Sequence, residues 1–151
     1  MHQQHDEQEQ RRRWLAVLAR AATDQLEAHW AETAQPALTL LRQPETGLVM
    51  ARGRAGGTGQ RFNVGEITVT RCAVQSGDGH IGHGYVAGRD KRKAELVASF
   101  DALLQAPDRR AGLLGRVVEP LAAAQADARA ATARKAAATR VEFFTMVRGE
   151  G

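Results

Sequence analysis

Apolar residues near the start of the chain recur at helical spacing. Trp14, Leu18, Ala21 and Ala22 share one face of a helix that follows Arg11-Arg12-Arg13. Asp24 is placed to cap a second helix, with Glu27 three residues on in a box-like arrangement. Leu26 and Trp30 give that helix its apolar stripe, and Pro36 closes the segment. The pattern then changes. Residues 37–43 and 47–54 are short β-prone runs separated by Pro44-Glu45-Thr46, and residues 64–75 are rich in Ile, Val and Thr. Ser76-Gly77-Asp78-Gly79 has the composition of a hairpin turn, and residues 80–87 read as the return strand. Gly88 ends that strand and Asp90 can cap a helix whose Leu96, Phe100, Leu103 and Leu104 fall on one face. Pro107 stops it, and Pro120 suits the first turn of an Ala-rich helix over residues 121–140. The order of N-terminal helices, a small antiparallel sheet of about four strands and C-terminal helices predicts an α+β fold. Residues 1–12 read as a polar tail and residues 13–151 as a single domain.

Composition thins the expected core. Hydrophobic residues make up 43% of the chain, but 28 of them are Ala and only 5% of all residues are aromatic. Such a chain gains from burying a further face against a partner. Cys72 is the single cysteine, which excludes an internal disulfide and fits a reducing cytosol. The first ten residues are polar, without the apolar stretch of a secretory leader, and no run is long enough to span a membrane. The net charge of +4 is unevenly placed: residues 42–93 carry nine basic and four acidic side chains, and residues 129–151 carry five and two. The positive field of the middle segment can attract phosphates, nucleic acid or an acidic protein surface.

Four stretches are candidates for chemistry. The glycine-rich run 53–59 can bring backbone N–H groups close to an oxyanion, and Arg52, Arg54 and Arg61 bracket it with guanidinium forks. The anion-binding candidates are Arg54, Gly56, Gly57, Thr58, Gly59 and Arg61. Gln60-Arg61 follows Gly59 where a P-loop needs Lys-Ser/Thr, so a plain hairpin loop is the other reading. Arg89, beside Asp90 at a helix start, is a further candidate for holding an anion, against a simple capped and solvated turn. His80 and His83 point to opposite sides of a strand and do not make a metal pair; His83 shares its face with Ile81 and Tyr85, leaving Gly82 and Gly84 for close packing. Cys72 lies inside a strand and reads as a small core residue, not a nucleophile. At the end of the chain Phe143, Phe144, Met146 and Val147, with Arg148 beside them, form an apolar patch that docks either on its own sheet or on a neighbour. No catalytic set assembles from these residues.

Glu45-Thr46-Gly47-Leu48-Val49, Gly56-Gly57-Thr58-Gly59-Gln60-Arg61-Phe62 with Gly65-Glu66, Gly88-Arg89-Asp90-Lys91 with Ala94-Glu95, and Phe143-Phe144-Thr145-Met146-Val147-Arg148-Gly149 resemble, in this order and spacing, the PhnG family. The resemblance runs from about Arg13 to the end. It implies a non-catalytic or accessory subunit of the bacterial carbon–phosphorus lyase machinery, in the cytoplasm. With PhnH, PhnI and PhnL such a subunit takes part in displacing adenine from MgATP by an alkylphosphonate, giving ribose 1-methylphosphonate 5-triphosphate. PhnJ, a radical SAM subunit, cleaves the C–P bond later. The resemblance implies no catalytic residue, metal or cofactor on this chain; MgATP is a substrate of the complex. Two readings of other classes stand beside it. A basic nucleic-acid-binding module rests on the positive middle segment, though only Phe62 and Tyr85 offer stacking faces on the strands. A phosphohydrolase using the glycine-rich loop lacks visible metal ligands or a base.

Overall fold

The computed structural model describes the backbone of residues 2–54, 59 and 61–149, and their side chains except at 54, 63, 64 and 141–149. Its elements in chain order are α1 (His2–Arg20), α2 (Thr23–Ala31), β1 (Leu38–Arg54), β2 (Arg61–Ser76), β3 (Ile81–Ala87), α3 (Lys91–Leu104), α4 (Pro107–Leu113), a π-helical turn (Leu114–Val118) and α5 (Glu119–Gly149). The fold is α+β, as the pattern predicts. The stretch ahead of Arg13 is helical and continues into the helix of Trp14 and Leu18, and Arg11 within it bonds to the core.

The four expected extended runs are all present and antiparallel. The first two are in line, because β1 passes through Pro44 as one long strand with register shifts between Leu40 and Arg42 and between Arg42 and Glu45. A proline is tolerated there because β1 is an edge strand, and the irregularity absorbs its missing N–H. The order β1-β2-β3 is set by two hairpins. In the second, the Ser76 N–H donates to His80 O at 2.9 Å and the Gly79 N–H to Ser76 O at 3.0 Å, with Gly79 at φ 93°, a conformation that glycine adopts without a Cβ penalty.

Helix α3 is the hub. The sequence stripe Leu96, Phe100, Leu103 and Leu104 faces the helical layer, but Ala94, Ala98, Ala102, Ser99 and Asp101 are buried as well, so the helix is enclosed on both sides. Its alanines meet Gly82 and Gly84 on β3: a Cβ at Gly82 would stand 1.9 Å from the Ala98 carbonyl oxygen, and one at Gly84 1.9 Å from that of Ala94. Trp14, Val17 and Leu18 of α1, Leu26 of α2 and Val117, Val118 and Leu121 complete the core. Trp30 meets Phe100 edge-on, with ring centroids 5.1 Å apart.

Three local expectations shift. The cap of α2 is Ala22, whose N–H donates to Gln25 Oε1 at 3.2 Å; Glu27 instead pairs with Arg92 of α3, so the tertiary ion pair takes the carboxylate that a box would use. The Asp90 cap of α3 is present, with Oδ1 accepting from the Lys93 N–H at 3.0 Å. Pro120 does not open a separate helix: α4, the π turn and α5 run on without a break. The Glu119 N–H reaches back five residues to Leu114 O, and this widened turn leads into the point where Pro120 has no N–H to give. After Gln125, whose Nε2 donates to Val17 O at 2.8 Å, the described side chains of α5 are exposed except for a half-buried Ala131.

Candidate functional site

Residues alternate cleanly along β3. Gly82, Gly84 and Val86 face α3, while Ile81, His83, Tyr85 and Ala87 face outward. The antiparallel register sets Arg71 opposite Tyr85 and Ala73 opposite His83 on the same outer face. Across the other hairpin, Arg42 lies opposite Ala73 and Glu45 opposite Arg71. Arg42, Arg71, His83 and Tyr85, with Leu41 and Ile81, therefore line one concavity of about 570 Å³ on the outer side of the sheet. Two guanidinium forks beside an imidazole and a phenol can hold carboxylate or phosphate oxygens, and the aliphatic neighbours can take an apolar side chain. Sequence reasoning placed His83 and Tyr85 on this face but did not single out Arg42 or Arg71. A signal was available: Arg71 and Tyr85 are equidistant from Asp78 at the centre of the turn, which pairs them if the hairpin is tight.

The described edges of the glycine-rich run, the end of β1 at Arg54 and the start of β2 at Arg61, lie away from this concavity, beyond the part of the sheet that β3 pairs with. Gly56, Gly57 and Thr58, and the Arg54 side chain, lie outside the described residues. Gly59 is an exposed bend, and Arg52 and Arg61 are exposed. The backbone register sets Arg54 opposite Arg61, so two basic positions face each other where the loop begins.

Arg89 is exposed next to the start of α3. There the Asp90 carboxylate already accepts from the Thr23 hydroxyl and the Lys93 N–H, and these bonds, the hydroxyl first, hold it below the usual carboxylate range. His80 lies 3.8 Å from Asp78, and His83 is across the strand from it, its backbone N–H bonded to Asp101. Among the described residues no group of three or more His, Cys, Asp or Glu is arranged to hold a metal ion. Cys72 is buried, and burial, with the nearby Glu95, pushes its thiol up to about 11, so it stays neutral and unreactive at neutral pH.

Sequence reasoning missed Asp101. It is fully buried and accepts from Arg11 Nε at 3.1 Å, Arg11 Nη2 at 2.8 Å, Trp14 Nε1 at 2.8 Å and the His83 N–H at 2.9 Å. It ties α1, α3 and β3 together behind the outer face. The tail positions Phe143, Phe144, Met146, Val147 and Arg148 continue α5 as helix to Gly149; their side chains lie outside the described residues.

No helix among the described residues is long and apolar enough to cross a membrane. Over residues 9–149 the chain matches the family described as "Phosphonate metabolism protein PhnG". It is similar to a protein of Rhizobium meliloti (strain 1021) described as "Alpha-D-ribose 1-methylphosphonate 5-triphosphate synthase subunit PhnG". The two are 47% identical over 143 residues, covering 93% of this chain and 90% of the relative.

Proposed function

The chain belongs to the PhnG family of phosphonate metabolism proteins, and from that premise we propose that it is an accessory, non-catalytic subunit of an α-D-ribose 1-methylphosphonate 5-triphosphate synthase. The observation that carries this reading is the 47% identity to a named synthase subunit across nearly the full length of both chains. In the proposed assembly it works with PhnH, PhnI and PhnL, and stands in one cytoplasmic complex with PhnJ. The reaction transfers the ribosyl triphosphate of MgATP to an alkylphosphonate and releases adenine. This chain's share is to organise the complex. Arg54, Arg61 and Arg89 and the N–H groups of the glycine-rich loop are its candidates for meeting an anionic group, and the helical tail is a candidate docking element. Buried, neutral Cys72 is no nucleophile in this account.

The test is reconstitution. PhnH, PhnI and PhnL are purified with and without this chain, supplied with MgATP and methylphosphonate, and adenine is followed by chromatography. Release should require this chain, and the chain alone should release none. Undiminished release in its absence overturns the proposal.

A further inference from the structure

The helical layer closes on itself and the sheet does not. All eight large hydrophobic side chains that are exposed among the described residues lie on β1, β2 and β3. Ion pairs show the same division. Arg11, Arg13, Arg92 and Arg110 on the helices meet Asp101, Glu119, Glu27 and Glu7. None of the ion pairs among the described residues includes Arg42, Arg52, Arg61 or Arg71 of the strands. Among the described residues, arginines outside any ion pair and uncovered apolar groups thus share the three strands.

The β1–β2 hairpin sharpens this. β3 pairs with β2 only over Val69–Gln75, so residues 48–54 and 61–68 extend beyond it as a two-stranded arm. Such a ribbon is marginal by itself in water. Its register puts Leu48 and Met50 on one face, and Val49 with its cross-strand partner Ile67 on the other. Leu48 is 63% exposed, Met50 49%, Ile67 47% and Phe62 50%. An arm with apolar groups on both faces is suited to entering a cleft, where both faces are covered.

We infer that this arm and the adjoining outer face, with Arg42 and Arg71, form the surface by which the chain docks on a different protein subunit, one presenting an apolar cleft rimmed by carboxylates. The inference rests on the subunit reading above and specifies its contact. Charge decides the occupant. A second copy meeting face to face would bring four arginines, Arg42 and Arg71 of each copy, against only two carboxylates, Glu45 of each. Its own acidic cluster, Asp6, Glu7 and Glu9, stands on residues 2–10, which hold no apolar side chain, so it offers carboxylates without the apolar surface. Nucleic acid would leave the aliphatic groups uncovered and finds only Phe62 and Tyr85 to stack on.

The experiment uses the full chain co-expressed with PhnH, PhnI and PhnL, with association read by co-purification and titration. Leu48→Gln/Met50→Gln and Arg42→Glu/Arg71→Glu should each weaken association about tenfold or more. Arg12→Glu and Arg116→Glu, exposed on the helical layer, should leave it unchanged. Hydrogen exchange on the unaltered chain, which needs no variant to fold, should show residues 45–54 and 61–71 protected in the complex. If the unaltered chain associates while the strand variants bind equally well and these amides stay unprotected, the docking surface is wrong and the subunit reading stands. If the unaltered chain binds none of the companions, the subunit reading falls and takes this inference with it. Self-association, or salt-dependent nucleic-acid binding, abolished by the same strand variants also overturns it.

Discussion

The Asp101 carboxylate is fully buried and holds four hydrogen bonds from α1 and β3, two of them from the Arg11 guanidinium. Removing it strands the Trp14 indole N–H and a cation that is itself only about a third exposed. Asp101→Ala is therefore expected to cost about 3–5 kcal/mol, measured by urea unfolding. By contrast the Arg13–Glu119 pair is exposed on both sides and contributes little. Cys72 gives a pH signature. Its pKa rises from 9.0 to about 11 on folding, so between these values the unfolded chain has lost a proton that the folded chain keeps. Stability should then be unaffected by Cys72 below pH 9 and fall by up to ~1.4 kcal/mol per pH unit between 9 and 11. Cys72→Ala should flatten that decline in melts recorded from pH 8 to 11.

Between elements, the decisive contact is α3 against β3. Two glycines opposite a row of alanines bring backbone onto backbone, and the gap has no room for a methyl group: the Cβ of Gly84→Ala would overlap the Ala94 carbonyl. The helix must lift from the sheet or the strand must bend. A loss of about 3 kcal/mol is expected from thermal unfolding, at the upper end of the cost of overpacking. The same substitution at Gly112, where a Cβ meets nothing within 4 Å, should be harmless. The close approach also explains why two of the three inward positions of β3 are glycine, and why so Ala-rich a chain still packs a core around Trp14, Phe100 and the leucines.

At the scale of the molecule, two parts of the described structure lie beyond the packed core: the β1–β2 arm and the side chains of α5 over residues 126–140. The described side chains of that part of α5 have almost no tertiary partner, so it contributes little to the fold. A chain ending after Ala130 should unfold as cooperatively as the full one, within about 0.5 kcal/mol. If the apolar tail docks on a companion subunit, the shortened chain should also associate more weakly in the same co-purification. A stability loss of several kcal/mol would show instead that the tail packs on its own domain. The positive segment found in the sequence resolves into separate places: the sheet's outer face, the hairpin tip and the turn before α3, where Asp90 is already bonded to Thr23 and Lys93.

The α+β class, the Ser76–Gly79 turn, the Asp90 cap, the α3 stripe and the shared face of His83 and Tyr85 were determined by the sequence itself. Each depends on groups within a few residues of one another, where spacing and local hydrogen bonding decide. The strings shared with the PhnG family were legible for the same reason. The merging of two runs into one bulged strand, the run of α4 into α5 through a π turn, and the loss of Glu27 to Arg92 depended on partners far along the chain. So did the joining of Arg42 with Arg71, which lie on different strands, and of Arg11 with Asp101, 90 residues apart. The pattern along one strand shows which residues face outward. Only the packed structure shows which outward faces find cover within the chain, and here the helices do while the sheet and its arm do not.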